Sequence, residues 1–136
     1  MQDELTVDAT VENIAVVTEY VNAQLEQYDC PIGAQVQIDI AIDELFGNIA
    51  RYAYNPVTGP ATVQVRVLED PLSAEITFID QGVPYDPLAK DDPDITLGPA
   101  EREIGGLGIF MTKQTMDDIR YEYKDGKNVL TIMKEF

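Results

Sequence analysis

The chain has no histidine and no tryptophan, a single cysteine, and only 9 lysines and arginines against 25 acids. Without histidine there is no Ser-His-Asp triad, and with one cysteine the usual His/Cys zinc sites are excluded as well. One cysteine also rules out an internal disulfide framework and fits a reducing compartment. Cys30 has no imidazole to serve as its base, and it reads as an inert structural thiol rather than a nucleophile. The shortage of positive charge leaves a formal net charge of −16. Such a surface is repelled by phosphate backbones and anionic lipid, so neither nucleic acid nor a membrane is an expected direct partner. Long apolar runs are missing too: nothing approaches the roughly 20 residues of a membrane span. The acidic opening MQDELTVDATVEN lacks the apolar stretch of a signal peptide, and a cytoplasmic protein is the expectation.

What is present suffices for one domain. The 136 residues, 45% of them hydrophobic, match a compact unit of about 100–150 residues. With no repeat, low-complexity tract or linker, 1–136 reads as one piece. Alternation over 5–10 predicts a short strand. Ile14, Val17, Val21 and Leu25 recur every three or four positions and predict a helix over 11–28. Proline and glycine break the pattern at 29–33. A second helix is expected over 34–54, ended by Asn55-Pro56, because proline disfavours helical backbone in the residue before it. The period then changes to two. Strands are expected at 61–68 and 73–80 around the turn Glu69-Asp70-Pro71. Residues 80–103 are rich in Gly, Pro and Asp, and a loop of that length is usually functional or mobile. A third helix opens at 105–108 and runs to about 116. A closing hairpin pairs 119–124 with 129–135 across the turn Asp125-Gly126-Lys127-Asn128. The mixture predicts the α+β class, a mainly antiparallel sheet covered on one face by helices.

Three segments carry candidate chemistry. On a helical wheel, Ile38, Ala41, Ile42, Leu45, Ile49 and Ala53 form an apolar stripe. Asp39 and Asp43 fall on one flank and are expected to be solvated. Glu44 and Asn48 fall on the other flank, one turn apart beside the stripe. A carboxylate and an amide there can share a site, although the bare E-x-x-x-N spacing equally fits a surface pair of no consequence. Asp80 ends an apolar strand in IDQGVPYDP. Its carboxylate can point into a cleft and accept from an exocyclic amine such as that of adenine, with Gly82 letting backbone approach a planar ring. Alone, this segment also reads as an ordinary Asp/Gly/Pro turn. Gly105, Gly106, Leu107 and Gly108 stand at the mouth of the third helix. Glycines there expose backbone N–H groups and the positive end of the helix dipole to an anion, or form a hinge. The segment is neither a P-loop nor a G-x-G-x-x-G fingerprint.

Taken in order, ELFGNIARYAY, DQGVPYDP and GGLGIFMTKQTMDDI resemble the N, G1 and G2 boxes of the GHKL, or Bergerat-fold (HATPase_c), ATP-binding superfamily. Within it the chain is similar to the small single-domain branch, the anti-sigma-factor serine-protein kinases. The resemblance runs from the opening strand to the final hairpin. It implies a two-layer α/β sandwich, with a mainly antiparallel mixed sheet and three helices on one face. Through the resemblance Glu44 matches the general base towards the attacking hydroxyl, and Asn48 the nucleotide-site amide that ligates Mg²⁺. Asp80 matches the carboxylate that receives the adenine amino group, and Gly82 the glycine beneath that ring. Gly105, Gly106, Leu107 and Gly108 match the segment whose backbone holds the phosphates, under a lid formed by 86–104. Arg102 would reach the terminal phosphate. Two positions depart from the pattern: Tyr52 stands where histidine is frequent, and Gln81 where an acid is frequent. Neither departure removes a residue assigned to chemistry.

A histidine kinase would need a phosphoacceptor histidine, and gyrase-like or mismatch-repair members carry a transducer domain that this sequence does not show. The resemblance therefore implies a serine/threonine protein kinase using ATP and Mg²⁺, and an anti-sigma factor. Its expected partners are a STAS-domain anti-anti-sigma protein, which it phosphorylates, and a sigma factor, which it sequesters, with the kinase itself a homodimer. The alternative is a non-catalytic ATP-binding regulatory module that holds a partner without phosphotransfer. An output other than transcription, such as control of a phosphatase or of secretion, is also compatible with the sequence.

Overall fold

In the computed structural model, which describes residues 2–54, 56–89 and 106–136, eight regular elements follow one another. They are β1 (Gln2–Asp8), α1 (Ile14–Glu26), α2 (Ile32–Asn48), β2 (Pro60–Leu68), β3 (Ser73–Asp80), α3 (Gly106–Thr115), β4 (Asp118–Lys124) and β5 (Lys127–Glu135). A 3₁₀ turn at Val11–Asn13 precedes α1, and a wider π turn at Ile49–Ala53 prolongs α2. The strands form one sheet in the order β1-β2-β3-β5-β4, and all four ladders are antiparallel. This is the expected α+β sandwich.

The period of two decides what each sheet face carries. Ala61, Val63 and Val65 of β2, Ala74, Ile76 and Phe78 of β3, and Leu130 and Ile132 of β5 point to the helical layer. There they join Val17, Val21 and Leu25 of α1, Ile38, Ala41, Ile42, Leu45 and Phe46 of α2, and Ile109 of α3 in one buried cluster. The opposite face holds polar cross-strand pairs: Thr6 with Thr62 at 2.9 Å, Thr77 with Thr131 at 3.1 Å, and Glu75 between Arg66 and Arg120 at 3.4 and 3.5 Å. Burying apolar area on the helix-covered face supplies the driving force, whereas exposed ion pairs on the other contribute little.

Several boundaries differ from the sequence expectation for identifiable reasons. The helix expected from residue 34 begins at Ile32. Pro31 already holds a helix-compatible φ of −60° while its ψ of 146° stays extended, so it serves as the entry residue instead of a break. The last turn expected as α-helix is the π turn. The closing turn is tighter than expected. Asp125 and Gly126 take φ of 54° and 75°, and Lys124 pairs with Lys127, as in a two-residue Asp-Gly hairpin turn. Asn128 therefore belongs to a strand.

Asp39 is also not simply solvated. Asn22 of α1 donates from Nδ2 to Asp39 Oδ1 at 3.1 Å, tying the two helices together. Burial raises the Asp39 pKa above the ordinary carboxylate value, partly offset by that bond. Asn22 Oδ1 is buried with no hydrogen-bond partner among the described residues. An amide at position 39 would accept the same bond and donate to the orphaned oxygen, so Asp39→Asn should stabilise the fold by about 1 kcal/mol. The sign with pH follows from the raised folded-state pKa. The fold prefers neutral Asp39, and the stability this gives is present below the unfolded-state value and lost as pH rises through the folded-state value. The melting temperature of Asp39→Asn should thus exceed wild type by several degrees at pH 7 and by less at pH 4. Equal melting temperatures at pH 7 would refute the assignment.

Candidate functional site

The inward row of β3, Ala74, Ile76 and Phe78, continues to Asp80, which places a carboxylate on the helix-covered face with only 4% exposure. The inward row of β5 begins with Asn128, and the register sets Asn128 directly opposite Asp80. Asn128 Nδ2 donates to Asp80 Oδ1 at 2.9 Å, and the Gly82 backbone N–H donates to the same oxygen at 2.9 Å. A buried carboxylate must be hydrogen-bonded to persist. Two donors meet that need at Oδ1, and Asp80 lines the cleft described below.

The π turn brings the end of α2 to the loop after β3. Val83 N donates to the Ala53 carbonyl at 3.0 Å. A Cβ at Gly82 would lie 2.2 Å from that carbonyl oxygen, so glycine is required here for the loop to dock on the helix end. Tyr54 closes the same corner. Its hydroxyl donates to Pro60 O at 2.6 Å and accepts from Gln81 N at 2.8 Å. Burial raises its pKa; the Gln81 bond lowers it and the nearby Asp80 charge raises it. Widened turns of this kind recur at functional sites.

Between these walls lies a cleft lined by Leu45, Ile49, Ala53, Phe78, Val83 and Leu130 with the polar groups of Asn48, Asp80 and Asn128. An apolar slot with a few fixed polar groups is the usual form of a small-molecule site. The rings of Tyr52 and Tyr85, 6.3 Å apart and tilted by 37°, also line it. Tyr52 thus forms part of the wall of the cleft.

Glu44 and Asn48 stand on α2 beside the cleft, Asn48 in its lining. Asn48 Nδ2 donates to Glu44 Oε1 at 3.3 Å. The Glu44 carboxylate in turn lies against the first turn of α3. A Cβ on Gly108 would be 2.0 Å from Glu44 Oε2, so only glycine admits the carboxylate there. Gly106 and Leu107 open that helix, where backbone N–H groups lack intrahelical partners. Asn48, Glu44 and Gly108 are therefore neighbours in turn, and Asn48 shares the lining of the cleft with Asp80. Arg102, Gly105 and the expected lid from residue 90 onward lie outside the described residues. Among the described residues no group of three His, Cys, Asp or Glu could hold a metal ion, and no helix is long and apolar enough to cross a membrane.

Sequence reasoning missed Asn128, Tyr54 and Tyr121 as site residues. The signal for Asn128 was the alternation Asn128, Leu130, Ile132, which extends the buried row of β5 by one polar position.

A helical layer thus covers one face of an antiparallel sheet, and the cleft between them ends on a buried carboxylate. Residues 7–134 match the family described as histidine kinase-like ATPase domain, and the chain belongs to that family. It is 25% identical over 95 residues to the serine/threonine-protein kinase BtrW of Bordetella bronchiseptica, covering 70% of this chain and 66% of that protein. It is 30% identical over 101 residues to the serine-protein kinase RsbW of Listeria innocua (68% and 61%) and 33% identical over 100 residues to RsbW of Bacillus licheniformis (68% and 59%). The matched regions thus span about three fifths to two thirds of these relatives. Among solved structures, that of the RsbU and RsbW domains of Rv1364c from Mycobacterium tuberculosis superposes with a TM-score of 0.70 at 18% identity, covering 99% of this chain and 32% of that one. That likeness establishes the fold.

Proposed function

We propose that the chain is a serine/threonine protein kinase that binds ATP in this cleft and transfers its terminal phosphoryl group to a partner protein. The observation that carries the reading is the buried Asp80, held by two donors at Oδ1 and free to accept at Oδ2. An exocyclic amine on a planar base in the apolar slot fits that acceptor. The relatives' names supply the protein-kinase part of the reading.

The residues fit the reaction. Mg²⁺ takes few protein ligands and favours oxygen, which suits a single Asn48 oxygen completed by nucleotide oxygens; when bound, the ion neutralises phosphate charge. Glu44 is placed to take the proton of the acceptor hydroxyl as its oxygen bonds to the terminal phosphorus and the bond to the departing ADP oxygen breaks. Asn48 orients that carboxylate through its Nδ2. Gly108 and the opening of α3 offer backbone N–H groups to the phosphates, with Gly105 and Arg102 assigned to the same task. The Tyr52 and Tyr85 rings offer aromatic faces to a planar base beside the slot.

The acceptor in this reading is a STAS-domain anti-anti-sigma protein, and the kinase, as a homodimer in the cytoplasm, also holds a sigma factor. The net charge of −16 favours rapid association with a basic surface on that partner. Its association rate should fall about tenfold or more between low and 0.5 M salt; a rate independent of salt would contradict steering. Incubation with labelled ATP, Mg²⁺ and a STAS-domain protein should leave label on serine or threonine. Tight ATP binding without transfer would instead make the chain a non-catalytic holding module.

A further inference from the structure

We infer that Asn128 is a positioning residue that fixes the Asp80 carboxylate and thereby sets the preference of the cleft for a 6-amino over a 6-oxo purine. The inference rests on the adenine-nucleotide reading and deepens it by naming what makes the carboxylate selective.

Asn128 is 5% exposed and its side chain makes four hydrogen bonds. Nδ2 donates to Asp80 Oδ1 and to the Val83 carbonyl, both at 2.9 Å. Oδ1 accepts from Tyr85 N at 3.1 Å and from the Tyr121 hydroxyl. Burial raises the Tyr121 pKa, so the phenol remains a donor at neutral pH. These bonds fix the orientation of the amide. Flipped, its oxygen would face a carboxylate and a carbonyl, and its NH₂ would face the Tyr85 N–H. One side chain therefore ties the end of β3, the segment 83–85 and the edge strand β4 into a single frame.

The consequence for selectivity is geometric. With Oδ1 engaged by Asn128 and Gly82, the carboxylate plane is set and Oδ2 presents one acceptor to the base. A 6-amino group donates to it, whereas a 6-oxo group opposes it with a second acceptor and leaves both unpaired, the costly case in a buried site. Without the Asn128 donor the carboxylate turns about Cβ–Cγ and can meet the N1–H of a 6-oxo purine. Aspartate at 128 would add a like charge opposite Asp80, and alanine would remove all four bonds.

The test is equilibrium binding of ATP and ITP, with Mg²⁺, to wild type, Asn128→Ala, Asn128→Asp and Tyr121→Phe, each checked for folding by its melting curve. Wild type should prefer ATP. Asn128→Ala should lose about tenfold in ATP affinity with little change for ITP, Asn128→Asp should lose more, and Tyr121→Phe should lower the ATP/ITP ratio about threefold. An unchanged ratio in folded Asn128→Ala, or equal weakening of both nucleotides, would overturn the inference and leave the adenine site standing. Should Asn128→Ala not fold, Tyr121→Phe decides, since a ratio equal to wild type overturns it. Wild type that binds neither nucleotide would overturn the reading beneath it together with the inference.

Discussion

Glu44→Gln is expected to lower phosphotransfer by about 10²–10⁴-fold, the usual contribution of a general base, with ATP affinity within about threefold of wild type. The substitution preserves volume and the oxygen that accepts from Asn48 Nδ2, so the geometry of α2 is retained. It removes the one property the reaction needs, a carboxylate able to accept the hydroxyl proton. Affinity is expected to be spared because Glu44 is not among the residues that line the cleft around Asp80. Single-turnover transfer from labelled ATP, measured beside equilibrium ATP binding, separates the two effects. Full transfer by Glu44→Gln would show that the proton goes elsewhere.

The second large effect contrasts two glycines. At Gly82 an added Cβ meets backbone: Ala53 O at 2.2 Å and Ala53 C at 2.6 Å. Neither atom can yield unless the loop leaves the helix end, which breaks the Val83–Ala53 hydrogen bond and moves the Gly82 N–H away from Asp80. Gly82→Ala should therefore destabilise the fold by about 1–3 kcal/mol, the range for overpacking, and abolish detectable ATP binding. At Gly108 an added Cβ meets the end of a flexible side chain, Glu44 Oε2 at 2.0 Å and Cδ at 2.2 Å. The carboxylate can swing aside at little cost to the fold. Gly108→Ala should thus melt within about two degrees of wild type yet lose most phosphotransfer, because Glu44 no longer sits where it is needed. Thermal melts and transfer assays on both variants check the contrast; the reverse pattern would show that the two contacts are misassigned.

How much of this could be read from residues alone depended on whether the relevant period was local. Alternation in β2 and β3 and the three-and-four spacing of Val17, Val21 and Leu25 reflect one element each, and they predicted the strands, the helix and its buried face. The row that ends in Asp80 is equally local, which is why its carboxylate could be expected at a cleft. The π turn was not legible, because its widening follows from docking against Gly82 and Val83, residues about thirty positions away in sequence. Asp39 looked solvated on its own helix and is half-buried only because Asn22 of α1 packs over it. Phe46 fell outside the predicted stripe for the same reason, being fully buried in the shared core. Asn128 combined both problems. A turn assumed two residues too long hid it, and its importance depends on the β3–β5 register.

The central claim is that Asp80 accepts the amine of an adenine nucleotide in this cleft. Titration calorimetry of ATP with Mg²⁺ into wild type and Asp80→Asn tests it most directly, because the change is isosteric and replaces an acceptor by a donor at the point of contact. The account predicts saturable binding to wild type and at least a hundredfold weaker binding to Asp80→Asn, with the two proteins equally folded. Equal affinities, or no binding by wild type, would contradict it.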